Sequence, residues 1–226
     1  MAQRYAVYFA PEPGSALEEF GQRWLGRSGP PPIPGVGAER VRALTENPRL
    51  YGFHGTFKPP FELNPATSEA ALLEAARIFA RSLSPIEIPP LEIAVIGKFI
   101  ALTPATSSAA LELLAAKCVR AFDGFRVTLT NEQAAFYRRN KLTVHQDQML
   151  EHWGYPYVME EFRFHMSLTE RIDDIAERNA VMRVVESMAK PVVGKPITVR
   201  DIVVFGQKKR GDAMTAIERI PFGRST

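Results

Sequence analysis

Between Phe162 and Thr169 apolar and polar residues alternate without a break, in the run FRFHMSLT. A period of two belongs to a half-buried β-strand, whose successive side chains point to opposite faces. Phe162, Phe164, Met166 and Leu168 make the apolar face, and Arg163, His165, Ser167 and Thr169 the polar one. Further strands are expected in RYAVYFA (Arg4 to Ala10), in YGFHGTFKPPFEL, and in IEIPPLEIAVIGKFIALTP as a hairpin turning near Gly97. Two more close the chain, ITVRDIVVFG and DAMTAIERIPF, flanking the basic turn QKKRG. Helical patterning fills the gaps. Ser15 with Glu18, and Thr143 with Gln146, stand at the capping-box spacing. A helix from about Ser68 to Leu83 puts Leu72, Ala76, Phe79 and Leu83 on one face. Others run from about Ser107 to Phe122 and from Asp174 to about Lys190. A short helix over Glu39 to Glu46 should stop at Asn47-Pro48, because the residue before proline avoids the helical region. The proline-rich run Arg27 to Gly37 reads as an irregular covering loop.

Each half of the chain thus holds a histidine-bearing strand, then a long helix, then a two-strand hairpin, the mark of a degenerate internal duplication. The expected fold is α+β: two pseudo-symmetric lobes, each an antiparallel sheet with helices on its outer face, and a groove between them. Within a single domain spanning 1–226, the lobes are expected at roughly 1–125 and 155–226. Two short helices at about 131–154 form an insertion, the second ending at Gly154.

The chain has 226 residues, enough to bury one substantial core. A net charge of +3 favours an anionic partner but is not the footprint of a duplex-DNA binder. The single cysteine, Cys118, excludes an intramolecular disulfide and sits in an apolar run as a core thiol. No apolar stretch is long enough to cross a membrane, and MAQRYAVYFAPEPG lacks the order of a signal peptide, so a cytoplasmic protein is expected.

The candidate chemistry emerges when YGFHGTFK is set beside EFRFHMSLT. Both hold Phe-His-x-hydroxyl followed by a large apolar residue. Strand alternation puts His54, Thr56 and Lys58 on one face of the first, and Arg163, His165, Ser167 and Thr169 on one face of the second. A histidine on either side of a phosphodiester can serve one as base and the other as acid, in line across phosphorus. Thr56 and Ser167 are placed to hydrogen-bond the non-bridging oxygens, and Arg163 and Lys58 to counter their charge. Such chemistry needs no metal and no cofactor.

His-Gly-Thr-Phe and His-Met-Ser-Leu resemble the paired His-x-Thr/Ser-hydrophobic motifs of the 2H phosphoesterase superfamily, which includes RNA-ligase-like cyclic phosphodiesterases. YGFHGTFKPPF and WGYPYVMEEFRFHMSLT look most like a bacterial branch associated with phosphonate-metabolism genes. The resemblance implies catalytic His54 and His165, phosphate ligands Thr56 and Ser167, and cleavage of a cyclic or 2′-linked phosphodiester. The expected partner is a small cyclic phosphate or a short RNA end, with neither DNA nor membrane involved. Two rival readings use the same groove: a non-catalytic module binding RNA ends or a phosphometabolite, and a ligase forming 2′,5′ bonds. The segment Asn131 to Gly154 departs from the simpler members.

Other features have plainer readings. Tyr5 and Tyr8 lie on opposite faces of the first strand and are expected in the core. QKKRG reads as a solvated turn, and YRRNK (Tyr137 to Lys141) as a surface segment with the makings of a base-stacking site. Arg171, just past the second motif, is within reach of a phosphate. His145 and His152 have the wrong spacing for a metal pair, and Gly35 and Gly37 lack a third glycine for a dinucleotide fingerprint.

Overall fold

A computed structural model describes residues 3–26 and 33–223. In chain order the elements are β1 (Arg4–Phe9), α1 (Ala16–Trp24), α2 (Ala38–Leu44), α3 (Glu46–Tyr51), β2 (Gly55–Glu62) and α4 (Glu69–Arg81). They continue with β3 (Ile86–Ile88), β4 (Leu91–Ile96), β5 (Phe99–Pro104), α5 (Ala109–Phe122), α6 (Asn131–Arg138), α7 (Val144–Trp153) and β6 (Met166–Ser167). The chain closes with α8 (Ile175–Ala189), β7 (Ile197–Val199), β8 (Asp201–Gln207) and β9 (Thr215–Pro221). The proline-rich run expected at 27–37 lies largely outside the described residues.

The capping signals act where they stand. Ser15, Ser68, Ser108, Thr130, Thr143 and Asp174 each accept a backbone N–H three residues on, satisfying one of the orphan donors at a helix start. Gly154 ends α7 in the left-handed conformation. The helical stop at Asn47-Pro48 is a correction: the chain pauses at Thr45, and Pro48 instead enters the first turn of α3. There the missing N–H would have had no intrahelical partner anyway.

The fold is α+β with antiparallel sheets. One sheet has the order β2-β1-β8-β9, a second β4-β5-β6, and β3 pairs with β7. The stretches 1–125 and 155–226, expected as lobes, share their sheets: each sheet draws strands from both stretches. In the four-stranded sheet β1 has β2 on one side and β8 on the other.

Alternation along β1 divides the four-stranded sheet into two faces. Tyr5, Val7 and Phe9 join the main core, under α4 and α5. Ala6 and Tyr8 face the other way, with Val203, Phe205 and Met214, in a small second cluster. Leu72, Ala76 and Ala80 bury the inner stripe of α4, and Leu111, Leu114, Ala115, Cys118 and Phe122 that of α5. Cys118 is a buried core thiol whose pKa is raised by that burial. None of the described helices is long and apolar enough to cross a membrane.

Candidate active site

His54 precedes β2 directly. Gly52, at φ 78°, breaks α3 in a conformation that a side chain would strain. Its carbonyl then lies 2.9 Å from His54 Nδ1. The second motif repeats the contact, His165 Nδ1 lying 2.8 Å from the carbonyl of Arg163. A carbonyl can only accept, so in both rings Nδ1 carries the proton and Nε2 of the neutral imidazole presents its lone pair. Burial lowers the pKa of His54 to about 4, with the nearby His165 adding to the shift and the Gly52 carbonyl opposing it. Burial likewise lowers that of His165, against the Arg163 carbonyl. The His54 ring stacks on Tyr8 at 3.8 Å and 23°, while Phe99 flanks His165 at 5.5 Å and 54°.

The second motif is a strand only at Met166 and Ser167, against the expected eight residues. Alternating burial persists from Arg163 to Leu168, but most of the ladder is replaced by individual bonds. Leu168 N and Thr169 N both donate to the Ile100 carbonyl, and Thr169 Oγ1 accepts from Ile100 N. Thr169 is thereby buried. Thr103 Oγ1 donates to the Phe164 carbonyl, and Trp24 Nε1 in α1 donates to that of Leu168. The two motifs touch through Gly55: a Cβ there would lie 2.3 Å from the Phe164 ring, so only glycine lets them approach this closely.

A groove of about 350 Å³ opens here, lined by His54, Thr56, Ser167 and Thr169 together with Tyr8, Phe99 and Arg171. His165 is not in this lining, although it packs on Phe99, which is, and lies near enough to His54 to act on its ionisation. Lys58 and Arg163 are not brought to the groove either. β1 opposes β2 irregularly: Tyr8 pairs with Thr56 and Val7 with Lys58, so Phe57 is an extra residue in a β-bulge. The bulge turns Lys58 to the core side, where it is 1% exposed. Its Nζ lies 2.9 Å from Asp123 Oδ1 and 3.3 Å from the Val119 carbonyl. Arg163 is exposed and lines a separate cavity with Thr103, Ser108 and Phe162, offering the site its main-chain carbonyl instead of its charge.

Other residues take up the space. Arg4, Tyr51, Tyr137 and Tyr155 line the same groove, and Tyr8 stacks on a histidine where core packing alone was expected. Tyr137 comes from α6, so the helical segment before the second motif forms one wall. A period-two reading of RYAVYFA already aligns Arg4, Ala6 and Tyr8 on one face, a signal that an arginine inside an apolar strand makes conspicuous. Among the described residues no cluster of His, Cys, Asp or Glu is arranged to hold a metal.

A family model described as "Protein of unknown function (DUF1045)" matches residues 56–215. A ribose 1,5-bisphosphate phosphokinase PhnN of Janthinobacterium sp. (strain Marseille) is 33% identical over 97% of this chain and 51% of its own length. A protein of the same name from Laribacter hongkongensis (strain HLHK9) is 33% identical over 76% of this chain and 41% of its own. The chain thus spans about half the length, or less, of these curated relatives. Among solved structures, E. coli LigT complexed with 3′-AMP is 12% identical with a TM-score of 0.48, covering 99% of this chain and 100% of that one.

Proposed function

The chain belongs to the DUF1045 family, and we propose that it is a phosphoesterase that opens a cyclic phosphodiester on a ribose or nucleoside by two-histidine acid–base catalysis. The observation that carries the proposal is the matched pair of imidazoles. Both are fixed by a carbonyl two residues back, neither Nε2 has a hydrogen-bond partner among the described residues, and His54, Thr56 and Ser167 share one groove.

In the reaction, Nε2 of one neutral imidazole accepts a proton from water as the water oxygen bonds to phosphorus. The other imidazole, protonated, gives its proton to the departing sugar oxygen as the P–O bond breaks. The product is a phosphate monoester beside a free hydroxyl, and the two imidazoles have exchanged protonation states. Thr56 and Ser167 hydroxyls donate to the non-bridging oxygens, where charge builds in the transition state. Arg171, exposed at the rim, supplies the cation that Lys58 and Arg163 do not. His54 has its affinity for protons lowered to a pKa of about 4, which suits it to be the base in the free enzyme.

The ribose and the link to phosphonate metabolism rest on the relatives' printed name and on the resemblance of the motifs. Opening a cyclic ribose phosphate gives a ribose phosphate monoester, the class of compound that a ribose-bisphosphate kinase consumes. The test is ³¹P NMR of the protein with a 2′,3′-cyclic nucleotide, a ribose 1,2-cyclic phosphate and a 2′,3′-cyclic oligonucleotide. Conversion of a cyclic resonance to a monoester, absent in the His54→Ala His165→Ala double variant, is the expected result. Line broadening without conversion would replace the enzyme by a binding module. Conversion that persists in the double variant would remove the histidines from the chemistry.

A further inference from the structure

Arg4 is a buried cation, 8% exposed, that forms no ion pair among the described residues. Its one hydrogen bond runs from Nη1 to Gln207 Oε1, at 2.6 Å. Gln207 is itself 1% exposed and is held by its Nε2 donating to the Asp212 carbonyl, so its neutral oxygen is locked toward Arg4. Glu62, its cross-strand partner, takes Arg210 at 3.3 Å and Gln133 at 3.2 Å, both through Oε1, while Glu132 and Glu170 line the adjoining cavities without an ion pair to Arg4 among the described residues. Arg126, close by, is already committed to Asp123. A guanidinium brought this far out of water is stable when something supplies the missing negative charge.

Arg4 lines the histidine groove and the cavity that continues from it beneath α6. Its companions are phenols. Tyr8, Tyr51, Tyr137 and Tyr155 line the groove with it, and among the described residues none of their hydroxyls is hydrogen-bonded to the protein. Arg4 lies close enough to Tyr8 and Tyr137 for its charge to act on their ionisation, as Tyr51 does on both and on Tyr155. Burial raises the pKa of Tyr8, Tyr137 and Tyr155, keeping them neutral donors. One forked cation that forms no ion pair among the described residues, with hydroxyl donors lining the groove beside it, is suited to a phosphate monoester.

We propose that Arg4, with Tyr51, Tyr137 and Tyr155, holds a second, terminal phosphate on the sugar whose cyclic diester lies at the histidines. The substrate class is then a phosphorylated pentose carrying a cyclic phosphodiester. The inference rests on the phosphodiesterase reading for what occupies the histidine end, and on Arg4 alone for the second anion. Arg4 and Tyr8 stand four residues apart along β1, on the order of 13 Å between their Cα atoms. The arginine side chain covers part of that span and a pentose phosphate the rest.

Calorimetric titration with ribose 5-phosphate, which has no diester to cleave, tests the subsite apart from the chemistry. Wild-type protein and the His54→Ala His165→Ala variant are expected to bind it alike. Arg4→Met should weaken binding about 30- to 100-fold, the loss of charge-assisted hydrogen bonds, with Arg4→Lys in between. Unchanged binding in Arg4→Met, binding lost with the histidines, or no binding to wild type would each overturn the proposal. If Arg4→Met does not fold, the Tyr51→Phe Tyr137→Phe variant carries the test, with about a tenfold weakening expected from two lost hydroxyls. No weakening there overturns it as well. Arg4-dependent binding without turnover of any cyclic phosphate would leave the subsite standing and remove the phosphodiesterase. Turnover without Arg4-dependent binding would do the reverse.

Discussion

The two histidine motifs hold the same local geometry on very different supports. His54 stands at the head of an eight-residue strand at the edge of a four-stranded sheet. His165 borders a two-residue strand, and its segment is held mainly by side-chain bonds from Thr169, Thr103 and Trp24. Yet each ring places Nδ1 against the carbonyl two residues back, at 2.9 and 2.8 Å. Ring orientation is therefore a product of the chain next to each histidine, whereas proton affinity follows from packing. His54 is stacked flat on the buried Tyr8, while His165 meets Phe99 at an angle and at greater distance.

The comparison breaks most visibly if either ring is removed. His54→Ala and His165→Ala are each expected to lower kcat on the cyclic substrate about 10²- to 10⁴-fold, the usual worth of a positioned acid or base. Thermal melts should stay near wild type, because both rings are only half-buried. Unfolding of either variant would give that histidine a structural role instead.

The difference in packing is sharpened by a pH profile of kcat/KM. Both imidazoles have lowered pKa values, so each loses its proton at a lower pH than a free histidine. A pair that needs one neutral and one protonated ring should then work best on the acid side of 6.5. The acid limb belongs to His54 near pH 4, and the alkaline fall to His165. Up to about tenfold per pH unit is expected on each limb, and an optimum above pH 7 would contradict the burial argument.

The point of contact between the motifs is probed by Gly55→Ala. The added methyl meets the Phe164 ring and should destabilise the fold by about 1–3 kcal/mol, read as a lower Tm. Combining it with Phe164→Leu should recover part of that loss, and strict additivity would mean the two do not touch.

The smallest effects come from the two cations turned away from the groove. Lys58→Met should leave KM for the phosphate substrate within about twofold of wild type. It should cost about 1–3 kcal/mol of stability, since Asp123 keeps Arg126 but loses its buried partner. Arg163→Ala should change stability by no more than about 0.5 kcal/mol, as exposed substitutions do. A large rise in KM for either would return it to phosphate binding.

Much of this molecule was determined by its sequence alone, wherever the cause is local. Hydroxyl and carboxylate caps start helices within one turn of where they stand, and glycines at 97 and 154 turn the chain because only they tolerate positive φ without strain. Alternation around His165 set which side chains are buried even where no ladder formed, since side-chain direction follows the extended backbone and does not require hydrogen-bonded partners. Tertiary structure alone decided the rest. The bulge that turned Lys58 inward is a mismatch between two strands, and YGFHGTFK by itself carries no trace of it. The placing of β8 beside β1 joined the two ends of the chain in one sheet. That same pairing set Arg4 against Gln207, 203 positions away, and the segment before the second motif brought Tyr137 and Tyr155 to it. Local rules say which way a side chain points; only the packing of distant segments says what it will face.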